Sequence, residues 1–277
     1  MNIKLIALDL DGTLLDSQKR LSARNERALS ECIRRGIEIV PCTGRIWSGV
    51  PAFIREFPGI HYAITTNGAV VENVVDHMVI KETKLSCEKA VQLLELGRQF
   101  HTMYDVYVGT RGFGELRFRD RLSEFGVPPQ VQKMLLDTRD FVPDAVSHIK
   151  KLNCQAEKVN YFFSDTEERI RAKAALAARG DVTISSSFPY NLEINEIGAT
   201  KGNGILTLAE YLGLDLKQIM GFGDGENDLT MMQMAGVGVA MGNAVDCVKA
   251  AADYVTDTND EDGVAAAIEK LVLNQQQ

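Results

Sequence analysis

Hydrophobic and polar positions along the first eighty residues alternate between two kinds of run. Ile3 to Leu8 is short and almost continuously apolar, the pattern of a strand buried on both faces. Ser22 then stands as an N-cap before an amphipathic stretch that reaches Arg35, with Gly36 placed to end it. Ile37 to Pro41 predicts a second strand and Tyr62 to Thr65 a third. Between them Arg45 to Phe57 has helical spacing, interrupted by Pro51. Strand, helix, strand, helix, strand is the rhythm of a parallel α/β sheet.

The C-terminal part repeats it. Helices are predicted over Gly202 to Leu212 (with Gly213 as the stop), Glu226 to Ala235, Val245 to Ala251 and Asp262 to Val272. Strands are predicted over Gln218 to Phe222 and Val237 to Ala240, and the glutamines at 275–277 read as a frayed end. The middle differs. Strand-like runs, Met103 to Val108 and Lys158 to Phe163, alternate with helical ones, Cys87 to Phe100 and Glu167 to Arg179, amid turn glycines and prolines. The expected architecture is a Rossmann-like parallel-sheet α/β core, 1–83 and 190–277, with an inserted α+β unit at 84–189.

The chain has 277 residues, 45% hydrophobic and 25% charged, enough to bury a sizeable core. Its formal net charge of -8 argues against general nucleic-acid binding, which needs a basic surface. Five cysteines without zinc or redox spacing suit reduced thiols, and no secretory leader or membrane-length apolar run is read. A cytoplasmic monomer, free of nucleic acid and membrane, is expected.

The chemistry lies where strands end. Asp9 and Asp11 come directly after the first apolar run, with Gly12 allowing a sharp turn and Thr13 able to cap the next segment. Two carboxylates on one face repel unless a cation or a shared proton joins them, so the pair predicts a hard metal or an acid/base partnership. Gly223-Asp224-Gly225-Glu226-Asn227-Asp228 ends another apolar run and adds hard oxygen ligands. Magnesium needs only a few carboxylates beside waters and a phosphate, whereas the spacing fits a calcium loop badly. Thr43-Gly44-Arg45 ends the second strand and offers a hydroxyl and backbone N–H groups to an anion. Lys201 opens a helix, where it opposes the helix dipole; the placement makes sense if a phosphate sits there. Cys42, beside Thr43, reads as a small apolar space filler.

Taken in order, these elements resemble the haloacid dehalogenase superfamily of phosphatases: Asp9-Leu10-Asp11-Gly12-Thr13 its first motif, Thr43 its second, Lys201 its third, and Gly223-Asp224 with Asn227-Asp228 its fourth. Thr66-Asn67-Gly68-Ala69, Gly198-Ala199-Thr200-Lys201-Gly202, the segment from Gly236 to Ala244 and Glu261-Asp262-Gly263-Val264-Ala265 are similar to the Cof-type subfamily. The resemblance implies a type IIB cap in the insertion and a phosphomonoester hydrolase acting on small phosphorylated metabolites. Sugar phosphates are favoured, with flavin or pyridoxal phosphate also open.

It implies further that Asp9 is the nucleophile and Asp11 the general acid and base. An ordinary aspartate ionises near ~4, so Asp11 needs surroundings that hold its proton. Mg2+ would be held by Asp9, the backbone carbonyl of Asp11, Asp224 and, directly or in support, Asp228. Thr43, Gly44, Lys201 and Asn227 would hold the phosphoryl group, and Asn67 would position substrate. The polar run Glu115 to Arg121 is either a specificity patch or a solvated face. An aspartate at 11 argues against the dehalogenases and leaves open a phosphosugar mutase of the same superfamily. A receiver-like module that is merely phosphorylated at Asp9 fits the second acid and the large insertion poorly.

Overall fold

The computed structural model describes residues 2–274; the glutamine tail read as frayed lies outside them. The chain divides into two compact units, 1–44 with 52–82 and 200–277, and 45–51 with 83–199. Strands are numbered in chain order.

In the first unit, β1 (Leu5–Leu8), β2 (Glu38–Pro41), β12 (Ile219–Gly223), β13 (Val237–Ala240) and β14 (Tyr254–Val255) form a parallel sheet in the order β14-β13-β12-β1-β2. Every residue of β1 is fully buried, as its continuous apolar run requires of a strand flanked on both sides. In register, Leu8 pairs with Phe222 on one side and Pro41 on the other, so the chains leave β1, β2 and β12 at one end of the sheet. A smaller antiparallel sheet, β3 (Tyr62–Thr65), β4 (Val70–Asn73) and β5 (Met78–Glu82), comes next in sequence after β2. Ser22 caps the helix Ala23–Arg34, its hydroxyl accepting from the Asn25 N–H at 3.0 Å.

The helix expected over Arg45 to Phe57 is not continuous. A 3-10 turn at Trp47–Gly49 and a single helical turn at Ala52–Arg55 are separated by Val50 in an extended conformation. Pro51 is the cause: it lacks an N–H and its ring drives the preceding residue out of the helical region.

The second unit holds β6 (Met103–Val108), β7 (Arg111–Glu115), β8 (Arg139–Val142), β9 (Lys158–Phe162), β10 (Val182–Ser185) and β11 (Asn191–Glu196) in the order β10-β11-β9-β6-β7-β8, antiparallel apart from β7 and β8. The insertion reaches further than the expected end at 189. β11 pairs with β9 and β10, which carries the unit through 199. Residues 45–51 also group with this unit rather than with the first.

Period-2 alternation divides the sheet. Val106, Val159, Tyr161, Leu192 and Ile194 enter the apolar core with the buried side of helices Cys87–Gly97 and Ala145–Leu152. Their neighbours Asp105, Lys158, Asn160, Glu193 and Asn195 are buried too, and polar. Buried charge is tolerated only when paired. Arg139 Nε reaches Asp105 at 2.9 Å and Lys158 Nζ reaches Glu193 at 3.0 Å, while the Asn160 amide donates to Asp105.

Three charged residues of the run from Glu115 to Arg121 are paired. Glu115 accepts from Arg98 at 2.9 Å and Arg117 at 2.7 Å, and Arg121 binds Glu124. Among the described residues no helix is long and apolar enough to cross a membrane.

Candidate active site

Asp9 is the first residue past β1. Its N–H still donates to the Phe222 carbonyl at 3.0 Å, so the ladder fixes its backbone. The chain then curls: Leu14 N–H returns to the Asp9 carbonyl at 3.3 Å and Leu15 N–H to that of Leu10 at 2.9 Å. Gly12, at φ +86°, makes the turn, and a Cβ there would fall 2.4 Å from Asp224 Oδ2. A side chain at position 12 would occupy the place of the Asp224 carboxylate. Thr13 Oγ1 holds that carboxylate at 2.7 Å.

Asp224 and Asp228 come from the chain leaving β12. One Asp228 oxygen accepts the N–H groups of Asp224 and Gly225, both at 2.9 Å; the other accepts from Lys201 Nζ at 2.6 Å. Lys201 Nζ also donates to Asp9 Oδ1 at 2.7 Å. Lys201 is the first residue of the helix Lys201–Leu212, which Thr200 caps. Gly202 lets this helix approach closely, since a Cβ would come 2.6 Å from the Thr230 carbonyl. The dipole penalty for a lysine at this end is outweighed by two carboxylates in contact with it.

Asp9, Asp224 and Asp228 each offer an oxygen within 4.8 Å of the others. Three acids around one ammonium leave excess negative charge. Burial pushes Asp9 well above the usual carboxylate range, Asp228 and Asp224 add to the shift, and Lys201 only opposes it. Burial first and Asp228 second raise Asp224 to about 7. Burial pulls Lys201 down, but Asp228 and Asp9 outweigh it and hold the lysine above its ordinary value, hence charged. The Cys42 thiol is pushed up by burial, so it stays protonated and fills space, as its sequence context predicts.

The other expected residues form a second chain of contacts. Thr43 is buried, donates its N–H to the Ile64 carbonyl at 2.8 Å and accepts from the Asn67 N–H at 3.0 Å. Asn67, at φ 60°, accepts from the Asn227 amide at 3.1 Å. Gly44 closes the first-unit segment that carries Thr43. The Asp11 carboxylate stands outside the group of three acids and meets Lys19 Nζ at 2.7 Å.

Several contacts escape a sequence reading. Asn243 donates to the Gly12 carbonyl at 2.8 Å, while Met241 and Val245 donate their N–H groups to Gly223 and Asp224 at 3.1 and 2.9 Å. Asn259 donates to the Leu15 carbonyl at 2.9 Å and, through its N–H, to Asn243 Oδ1 at 3.0 Å. Asp260 accepts from Ser17. The segment 241–260 thus straps both acidic loops together. Its sequence signals, the resemblance of Gly236 to Ala244 to the Cof-type subfamily and the helix predicted over Val245 to Ala251, do not name these partners.

A family model described as haloacid dehalogenase-like hydrolase matches residues 6–268. A 5-amino-6-(5-phospho-D-ribitylamino)uracil phosphatase of Bacillus subtilis is 32% identical over 273 residues, covering 99% of this chain and 97% of the relative. Among solved structures, a haloacid dehalogenase-like hydrolase from B. subtilis superposes with a TM-score of 0.86 at 30% identity, covering 98% of this chain and 100% of that one. A sugar phosphatase of haloacid dehalogenase subclass IIB gives a TM-score of 0.81 at 26% identity, covering 96% of this chain and 98% of that one.

Proposed function

This chain belongs to the haloacid dehalogenase-like hydrolases and is a phosphatase, and from that premise we propose that it hydrolyses phosphomonoesters of small metabolites in a Mg2+-dependent reaction through an aspartyl-phosphate at Asp9. The observation that carries this reading is the Asp9 carboxylate held by Lys201 at 2.7 Å beside Asp224 and Asp228. Asp9 attacks phosphorus and the bond to the ester oxygen breaks as Asp11 gives that oxygen a proton. Asp11 then takes a proton from water, whose oxygen attacks the phosphorus of the aspartyl-phosphate, and inorganic phosphate leaves with Asp9 restored. Lys201 orients Asp9 and balances charge on the phosphoryl oxygens. Thr43, the N–H of Gly44 and Asn227 complete their binding, with Asn67 fixing Asn227.

The donor set suits a hard divalent cation: three clustered carboxylates bear more negative charge than Lys201 neutralises, and all the ligands are oxygen. Asp9, Asp224 and the Asp11 carbonyl would hold Mg2+. Asp228, already accepting three hydrogen bonds, would support Asp224 or ligate through its remaining lone pair. When bound, the ion supplies charge neutralisation at the transferring phosphoryl group.

The relative that acts on a phosphoribityl compound and the structural neighbour that is a sugar phosphatase favour phosphorylated sugars and sugar-alcohol chains as substrates. Flavin mononucleotide and pyridoxal phosphate belong in the same panel. We place the protein in the cytoplasm as a monomer, its cysteines all free thiols. The test is phosphate release from a panel of phosphorylated metabolites with Mg2+ or with chelator. Release that stops on chelation is expected; an isomeric sugar phosphate accumulating without free phosphate would identify a mutase instead.

The acids also impose a pH dependence. An unfolded aspartate ionises near ~4, whereas folded Asp224 is raised to about 7 and Asp9 is raised as well. Between those values the folded metal-free protein binds protons that the unfolded chain has released. Its stability therefore falls as pH rises from about 4 to about 7. Metal binding needs the ionised carboxylates. Mg2+ should consequently raise Tm more at pH 8 than at pH 5, and a larger shift at pH 5 would contradict the raised values.

A further inference from the structure

Two of the five cysteines come together near the start of the second unit. Leu85 and Ala156 form an antiparallel bridge, each donating its N–H to the other's carbonyl, at 2.8 and 3.0 Å. Both side chains are fully buried. Two residues further along each strand, the register sets Cys87 against Cys154 on the face of Leu85 and Ala156. Cys87 opens the helix Cys87–Gly97, just after its extended N-cap Ser86. Cys154 follows Asn153, which ends the helix Ala145–Leu152 at φ 48° and donates its N–H to the Ile149 carbonyl at 2.9 Å. The Cys87 sulphur is 3.6 Å from that same carbonyl oxygen, so it lies at the turn from which Cys154 departs. Opposed residues of this kind stand about 5.5 Å apart at Cα, within the ~4.4–6.8 Å that a disulfide spans. Burial raises the Cys154 thiol above its ordinary value, and the neighbouring Cys87 adds to the shift. Both cysteines are half-buried, whereas Cys32, Cys42 and Cys247 belong to the first unit.

We propose that Cys87 and Cys154 are a site of reversible oxidation, closed to an intramolecular disulfide by a low-molecular-weight disulfide such as oxidised glutathione. The Cys87 sulphur attacks one sulphur of the oxidant, whose S–S bond breaks; its other half leaves as a thiol with the Cys87 proton. The Cys154 sulphur then attacks the Cys87 sulphur of the mixed disulfide, and the second half leaves as a thiol with the Cys154 proton. The two cysteines lose two electrons and two protons, and the oxidant gains them. Burial keeps Cys154 protonated, which suits it to the second step, where reaction within one molecule tolerates a scarce thiolate. The bond staples the start of one helix to the end of the other and closes a loop of about 70 residues. No short Cys spacing announces the pair, because a bridge between distant segments makes it. The inference does not depend on the phosphatase reading.

The test incubates the full chain with millimolar oxidised glutathione, blocks remaining thiols with a maleimide and maps the peptides by mass spectrometry. A linked peptide joining Cys87 to Cys154 is expected, lost again on addition of dithiothreitol. The exposed Cys247 is free to take glutathione and is read separately. Cys154→Ser should trap a glutathione mixed disulfide at Cys87. Oxidised wild type should melt about 5 °C or more above reduced protein, as a crosslink over so long a loop restricts the unfolded chain. Neither Cys87→Ser nor Cys154→Ser should show that rise. Stable glutathione adducts on both Cys87 and Cys154 of wild type, a link from either to another cysteine, or two thiols that stay free would each overturn the proposal.

Discussion

Lys201→Ala is expected to destabilise the protein severely as well as to inactivate it. The ammonium is fully buried between Asp9 and Asp228, 2.7 and 2.6 Å away. Breaking a buried ion pair from one side costs about 3–5 kcal/mol, because the remaining charges stay uncompensated. Against a total stability of about 5–15 kcal/mol, that is a large share. At roughly 2–4 °C per kcal/mol for a chain of this size, Tm should fall by about 6 °C or more. Lowering the pH should recover part of it by protonating the acids. Mg2+ should raise Tm more in the variant than in the wild type, since the cation then meets charge that nothing else balances. Phosphate release should fall by about 10^3-fold even in variant protein that remains folded, as a donor aimed at the transferring group is lost. A variant melting within about 1 °C of wild type would show that the two carboxylates do not rely on the lysine.

Asp9→Asn should separate stability from activity in the opposite way. The amide keeps the shape of the carboxylate and offers Lys201 an oxygen, while one of three crowded negative charges is removed. Burial already disfavours that charge, so metal-free Tm should hold or rise slightly. Turnover should drop by about 10^4-fold or more, because no other group forms the covalent intermediate. Phosphate release measured beside thermal melting checks both halves. A folded variant that retains a tenth of wild-type activity would remove Asp9 from the nucleophile's place.

The parts of the molecule legible in its sequence share a physical cause. β1 has to be apolar throughout because neighbours cover both its faces, so Leu5–Leu8 announces itself. Asp9, Lys201 and Asp228 are far apart in the chain, yet each stands at a strand end or helix start, where a parallel sheet gathers its ligands. The end of the insertion is harder to read. β11, Asn-Leu-Glu-Ile-Asn-Glu, alternates polar and apolar residues, and only its pairing with β9 shows which unit it joins. Pro51 is visible, but its local effect on Val50 outweighs the helical spacing around it. The contacts of Lys19, Asn243 and Asn259 are hidden from the sequence for another reason. The asparagines bind backbone carbonyls that every residue possesses, and Lys19 depends on a backbone angle that no side-chain pattern encodes.

The strap on the acidic loops has a consequence for the order in which the molecule is made. Gly12 leaves the ribosome early, but the asparagine that holds its carbonyl is 231 residues further on, and the partner of Leu15 is 244 away. Domains that close contacts this distant fold late and slowly. The inserted sheet, whose strands lie nearer to one another in sequence, can form while the nucleophile's loop is still waiting for its anchors. During synthesis Asp9 and Asp11 therefore pass through a long interval without the bonds that hold their loop in place, and a nascent chain stalled before Asn243 should carry Asp9 but no working site.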